Sequence, residues 1–222
     1  MTKNFSQIAL ASLFPIRHKS KTYYDEDELN QYEKALFAGG CFWCMQAEFQ
    51  KIEGVIKVIS GYTGGDEKKP SYEEVSSGKT YHKEAVLIYY DPKKISYEKL
   101  LDSYWKNIDP TDDRGNFHDR GFQYTTTIFY FNEEQKKLAK ESKKDLEKSK
   151  RFKKPIKTNI LPAKTLYKAE EFHQDFHIKN PYQYQEYKKN SKREDFFKKI
   201  WEKEKLHPNL TPLQYEVIYK NT

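Results

Sequence analysis

The sequence predicts an α+β fold built on a central sheet, and three observations lead there. Short apolar and β-branched runs at residues 34–38, 55–60, 84–90 and 124–131 have the length of strands. Between them, apolar residues recur at helical spacing: Phe42, Met45, Phe49 and Ile52 in one stretch, and Tyr97, Leu100, Leu101, Tyr104 and Trp105 in another. The two kinds of segment alternate in mixed order along 222 residues, a length suited to one substantial domain with extensions.

Residues 1–33 read as an N-terminal extension. They hold an apolar run from Ile8 to Ile16, which Ser12 and Pro15 interrupt and which is too short to span a membrane. Lys34–Ala38 reads as a buried strand closed by Gly39 and Gly40, with a helix expected to start at Cys41 and to stop at Gly54. Val55–Ser60 is the next strand and residues 61–65 a loop. Glu84–Tyr90 is a strand ended by Asp91 and Pro92. Ser96 opens a helix to Asn107, with Lys99 where a full capping box has Glu. Residues 109–121 form a long loop rich in Asp and Gly, of the kind that often carries function. Tyr124–Phe131 is a strand, Glu133–Lys150 an exposed charged helix, and 156–161 and 165–167 are short strands. Residues 169–178 read as a helical turn or two ended by Asn180 and Pro181, and a further helix is expected over 192–205.

Hydrophobic residues make up 36% and charged residues 33%, so the core must be concentrated; 18 Tyr, 14 Phe and 3 Trp supply large buried areas from few positions. The net charge of +7 raises nucleic-acid binding as a reading. The lysine-dense stretches 136–154 and 188–205 have the pattern of solvated helix faces, and no zinc-finger, RNP or helix-turn-helix motif accompanies them. We therefore expect neither a nucleic-acid nor a membrane partner, and a cytoplasmic monomer, with export left open by the unusual N-terminus.

Chemistry concentrates in Gly39-Gly40-Cys41-Phe42-Trp43-Cys44. The two cysteines of the chain lie within it, too few for a disulfide scaffold and without the further ligands of a zinc site. Two glycines permit a tight reversal. A cysteine at a helix N-terminus faces unpaired N–H groups that stabilise a thiolate and lower a free pKa of about 8.5. Cys44, one turn on, lies on the same face, within range of a disulfide. A general CxxC thiol-disulfide oxidoreductase is one reading, although its usual Gly-Pro spacer is here Phe42-Trp43. Phe42 fits the core stripe of the helix. Trp43 does not, and is the better candidate for a substrate pocket. Glu84 opens an apolar strand and shares a face with Val86 and Ile88; desolvated there, its carboxyl would keep a proton near neutrality.

Residues 39–44 resemble the signature of peptide methionine sulfoxide reductase A. The likeness continues in order through 60–65 (SGYTGG), 70–75 (PSYEEV), 82–86 (HKEAV), 90–92 (YDP), 95–98 (ISYE), 109–111 (DPT), 119–124 and 169–174 (AEEFHQ), covering roughly 34–190. It implies a two-layer, ferredoxin-like plait with the nucleophile at a helix N-terminus. It implies a catalytic domain at 34–190 between the extension and a tail, 191–222. By the resemblance Cys41 is the nucleophile and attacks the sulfur of a methionine S-sulfoxide, Glu84 is the acid, and Phe42 and Trp43 hold the substrate methyl group. Tyr72 and Tyr124 bond the sulfoxide oxygen, and Asp119 positions substrate and network. A sulfenic acid forms and condenses with a second thiol, and the disulfide is reduced by thioredoxin, with no bound cofactor. Substrates are oxidised proteins and free methionine sulfoxide.

The sequence departs from the resemblance in places. Many members have glycine after the tryptophan and a C-terminal resolving cysteine; this chain has Cys44, so either Cys44 or an external thiol resolves. Thr125 and Ile108 stand where Arg and His are commoner. The tail, with Ser191, Lys192, Arg193, Phe196, Trp201 and 210–215 (LTPLQY), resembles the linker into a B-type reductase domain but carries no cysteine. A remnant, a docking arm and a packing strap are its possible roles.

Overall fold

A computed structural model describes residues 26–206. The Ile8–Ile16 run and the 210–215 motif lie outside them. The chain packs as two units, Met1–Gln31 and Tyr32–Thr222. The described part of the first is a single turn, α1 (Glu26–Leu29).

In the second unit the strands β1 (Glu33–Ala38), β2 (Val55–Thr63), β3 (Lys83–Tyr90) and β6 (Thr127–Tyr130) form the centre of a sheet. Their order is β6-β1-β3-β2, each antiparallel to its neighbours. The helices α2 (Phe42–Phe49) and α4 (Tyr97–Trp105) join β1 to β2 and β3 to β6. That is the α+β, ferredoxin-like arrangement, two split β-α-β units interleaved. Edge strands β7 (Asn159–Pro162), parallel to β6, and β8 (Tyr167–Lys168), antiparallel to β2, extend it to six.

Side-chain alternation decides which face each helix covers. Ala35 and Phe37 of β1, with Val86, Ile88 and Tyr90 of β3, pack against Phe42, Met45 and Phe49 of α2 and Leu100 and Tyr104 of α4. Phe37 is the centre of this layer, with ring centroids 5.6 Å from Phe49 and 4.9 Å from Tyr104. The opposite face, Leu36, Ala38, Ala85 and Phe129, is covered by Ala163 and Leu166. The charged helix α5 (Glu133–Lys148) buries only Gln135, Ala139 and Leu146.

Several elements differ from the sequence expectation. β2 runs on through Thr63 where a loop was expected, because Tyr62 is buried and stands opposite Glu84 in the ladder. Tyr124 belongs to a 3₁₀ turn, Phe122–Tyr124, ahead of β6. The long loop contains a two-residue hairpin, β4 (Gly115–Asn116) and β5 (Asp119–Arg120). A short helix, α3 (Tyr72–Ser76), starts from a full capping box of Ser71 and Glu74. After α6 (Phe176–Lys179), Pro181 begins a helix instead of ending one: α7 is Pro181–Asn190, with the proline at its first position, where the missing N–H costs nothing. The helix α8 (Arg193–Leu206) follows. Among the described residues no helix is long and apolar enough to cross a membrane.

Candidate active site

The turn from β1 into α2 is fixed from two sides. The Tyr104 hydroxyl donates to the Ala38 carbonyl at 2.8 Å, holding the strand end. Gly40 has φ +84°, and a Cβ there would stand 2.8 Å from the Cβ of Asn116. Asn116 is itself buried and clamps the 109–116 loop, donating to the Asp109 carbonyl at 2.9 Å. The chain thus delivers Cys41 as the N-cap of α2, its carbonyl accepting from the N–H groups of Cys44 and Met45. The Cys41 side chain supplies no cap bond, so its sulfur is left for other partners.

Glu84 arrives from β3 on the face shared with Val86 and Ile88, as the alternation requires. The Phe42 N–H donates to its carboxylate at 3.0 Å, so the carboxyl sits one residue from Cys41 at the open end of the helix. Burial pushes the Glu84 pKa up to about 8; the Phe42 hydrogen bond opposes this, and Asp119 and Cys44 add to it. The group is therefore largely protonated at neutral pH.

Around this pair stand the residues that the resemblance assigns to the site. Tyr72 of α3 and Tyr124 of the 3₁₀ turn both face Glu84, Asp119 and Cys41, and burial first and these charges second hold both phenols above their ordinary pKa. Phe42 is buried at 1% exposure, between Tyr62 and the His173 ring at 5.8 and 5.1 Å. Trp43 is half-buried. Its indole N–H donates to His173 Nδ1 at 3.0 Å, and its ring lies flat on Phe176, centroids 3.8 Å apart at 7°. The Tyr187 hydroxyl of α7 donates to Asp119, while its ring meets Trp43 edge-on at 5.7 Å. Asp119 lies above the usual carboxylate range, through burial that the Tyr187 hydroxyl and Arg193 partly oppose.

The segment that carries His173 is pinned by amide side chains. Gln174 accepts from the Ser60 N–H at 3.0 Å and donates to its carbonyl at 2.8 Å; Gln46 of α2 accepts from the Asp175 N–H at 2.8 Å. Glu170 receives the Tyr62 hydroxyl at 2.7 Å and the Tyr72 N–H at 3.0 Å. Burial lowers the His173 pKa, in keeping with a neutral ring that accepts from Trp43. Thr125, an expected departure, accepts from the buried Lys83 ammonium.

One expectation needs correcting. The helix N-terminus was expected to lower the Cys41 pKa. Instead burial, the hydrogen bond with Cys44, and the charges of Cys44, Glu84 and Asp119 push it well up. Cys44 moves down, through the hydrogen bond with Cys41 first and the facing Arg193 charge after it, against the effect of its own burial. Both thiols are buried and free.

Sequence reasoning missed Tyr187 and Phe176, and placed Arg193 only in a linker-like tail; the three complete the enclosure. Proline at 181 followed by tyrosines at 184 and 187, one helical turn apart, was the available signal.

Paired thiols beside a protonated carboxylic acid perform two-electron chemistry, and the class this end of the sheet defines is the thiol-dependent oxidoreductases. Comparison with known proteins narrows the class. A family profile described as peptide methionine sulfoxide reductase matches residues 33–205. The A-type enzyme of Halalkalibacterium halodurans is 55% identical over 171 residues, 77% of this chain and 97% of that one. An MsrA/MsrB protein of Vibrio cholerae is 43% identical over 198 residues, 89% of this chain and 52% of that one, so the likeness extends into the tail. Among solved structures, reduced Mxr1 of Saccharomyces cerevisiae superposes with a TM-score of 0.65 at 29% identity, covering 72% of this chain and 90% of that one. The chain belongs to the peptide methionine sulfoxide reductase family, on its A-type branch. The general CxxC oxidoreductase reading gives way to reduction of methionine sulfoxide.

Proposed function

We propose that the enzyme reduces the S-epimer of methionine sulfoxide through a sulfenic acid on Cys41. The observation that carries this is the Phe42 N–H to Glu84 hydrogen bond at 3.0 Å. It fixes a carboxylic acid beside the only thiol placed at a helix N-terminus. Cys41 attacks the sulfoxide sulfur while its proton passes to Cys44. Glu84 gives its proton to the sulfoxide oxygen, with Tyr72 and Tyr124 donating to that oxygen and Asp119 holding the outer wall. Methionine leaves and Cys41 carries the hydroxyl group. The Glu84 carboxylate then takes the proton back from Cys44. The Cys44 thiolate attacks the Cys41 sulfur, and the hydroxide leaves as water with the proton of Glu84. The proton of Cys41, the proton of Glu84 and the sulfoxide oxygen make one water, and Glu84 ends ionised.

Phe42 and Trp43 form the apolar grip on the substrate methyl group. Phe176 and Tyr187 cover the outer side of Trp43, so a peptide substrate displaces them on entry. Residues 34–190 form the catalytic domain. Protein-bound and free methionine sulfoxide are both substrates, and thioredoxin reduces the Cys41–Cys44 disulfide. Support for an external dithiol is the cysteine content: two thiols leave no third to open the bond. The enzyme is read as a cytoplasmic monomer on its composition.

The test is turnover of an S-sulfoxide with thioredoxin by the parent, Cys41→Ser and Cys44→Ser. Cys41→Ser is expected to be inactive, and Cys44→Ser to form methionine once without cycling. Full activity in Cys41→Ser would remove the central assignment; sustained cycling in Cys44→Ser would pass resolution to an external thiol.

A further inference from the structure

We propose that Arg193 is the counter-ion of the Cys41–Cys44 pair, a positioning residue that keeps the pair's negative charge on Cys44. The inference rests on the proposed role of Cys44 as resolving thiol and extends it.

Arg193 is the first residue of α8 and is 1% exposed. The chain turns it inward through Lys192, which adopts a left-handed backbone (φ 55°), and the Ser191 hydroxyl accepts from the Arg193 N–H at 3.5 Å. None of its three guanidinium nitrogens has a hydrogen-bond partner among the described residues. The guanidinium lies over the face of Phe117, 4.8 Å away in the turn between β4 and β5. A ring face returns only part of what it costs to take a guanidinium out of water, so a buried arginine needs an anion.

Two anions are on offer. The Asp119 carboxylate already receives the Tyr187 hydroxyl. Cys44 is the other, and with Tyr187, Cys41 and Asp119 it favours the arginine's charge against its burial. Cys44 in turn lies in a small cluster with Ala47 of α2 and Tyr184 of α7. The groups facing Cys44 are therefore Cys41 at the start of α2, Asp119 of β5, Glu84 of β3, Tyr184 and Tyr187 of α7 and Arg193 of α8; Arg193 alone among them is positive.

Such a charge acts on the half of the reaction in which Cys44 must become an anion. In the first half, Cys44 accepts the Cys41 proton as the Cys41–sulfoxide sulfur bond forms. In the second, Cys44 gives that proton to Glu84, its electron pair forms the S–S bond, and the S–O bond of the sulfenic acid breaks to release water. Arg193 changes no bond. It favours the anionic form that Cys44 takes on giving its proton to Glu84, before it attacks Cys41.

The experiment titrates Cys44 alone by thiolate ultraviolet absorbance, in the full chain carrying Cys41→Ser, with Arg193 present and with Arg193→Met or Arg193→Lys added. Arg193→Met is expected to raise the midpoint by about one pH unit or more, a tenfold change in ionisation, and Arg193→Lys by less than half as much. With Cys41 restored, Arg193→Met is expected to slow disulfide closure after one turnover about tenfold near neutrality. An unmoved midpoint in Arg193→Met, or equal shifts in the two variants, overturns the proposal. A measurement without any change at 193 also decides: the midpoint in the folded Cys41→Ser protein must lie below that in urea, and a midpoint at or above it overturns the proposal even where Arg193→Met does not fold. The titration uses no substrate, so it stands or falls separately from the turnover assays that test Cys41 and Cys44.

Discussion

Glu84 shows how one buried carboxyl sets a pH dependence. In the proposed reaction the protonated form is the acid, and its pKa is held at about 8 by burial. The rate of sulfenic acid formation in a single turnover is expected to be highest below that value and to fall as pH rises through about 8. Glu84→Gln keeps the shape and can accept the Phe42 N–H but cannot give a proton. It is expected to lose about 100-fold or more in that rate and to lose the descending limb with it. An unchanged single-turnover rate would take Glu84 out of the reaction. Linkage gives the same group a second signature. Its folded pKa is raised above the ordinary carboxyl value of 4.5, so ionising it opposes folding. Stability is expected to decline as pH rises from about 4.5 to about 8, and Glu84→Gln to flatten that decline in urea denaturation measured across the interval.

At the scale of elements, the strand-to-helix turn is the part of the site most exposed to a backbone test. Gly40 combines φ +84° with contact to Asn116, so Gly40→Ala meets both a left-handed backbone and a side chain that clamps the next loop. A cost of roughly 1–3 kcal/mol is expected, seen as a fall in Tm of about 5 °C together with slower turnover. A fall in Tm with no change in rate would mean that the turn positions nothing. This turn was legible in the sequence because its cause is local: two glycines, a strand before them and a helical stripe after. The Glu84 face was legible for the same reason, since alternation needs only the neighbouring residues. What stayed hidden depends on where distant chain returns. Pro181 has the same sequence signature whether it ends one helix or begins another. Only the packing of α7 over Trp43 decides, and with it the contacts of Tyr187 and Phe176. The direction of the Cys41 pKa was missed likewise: a helix end is visible locally, whereas burial beside two carboxyls is tertiary.

At the scale of the whole molecule, the described part of the tail packs back onto the catalytic domain. Within the described part, Phe196 and Phe197 meet Phe117 at 5.3 Å each, and Trp201 packs edge-on to Phe152 at 6.2 Å. Arg151 donates to the Ile200 carbonyl at 2.9 Å and lies over the Trp201 ring at 4.2 Å. Residues 193–201 thus act as a strap across the hairpin that presents Asp119. Three half-buried aromatics contribute on the order of 4 kcal/mol together, so a chain ending at Asn190 is expected to melt about 10 °C lower. Stability is only half of the expectation, because the same cut removes Arg193. Assayed at a temperature where the shortened chain is fully folded, a tail that only straps would leave disulfide closure at the parent rate. A tail that also supplies the counter-ion leaves closure slow in the folded, shortened chain, and slow to the degree seen in full-length Arg193→Met. Equal melting temperatures would dismiss the strap, and parent-like closure in the shortened chain would dismiss the counter-ion, so one truncation measured two ways separates what the tail holds together from what it does to the thiols.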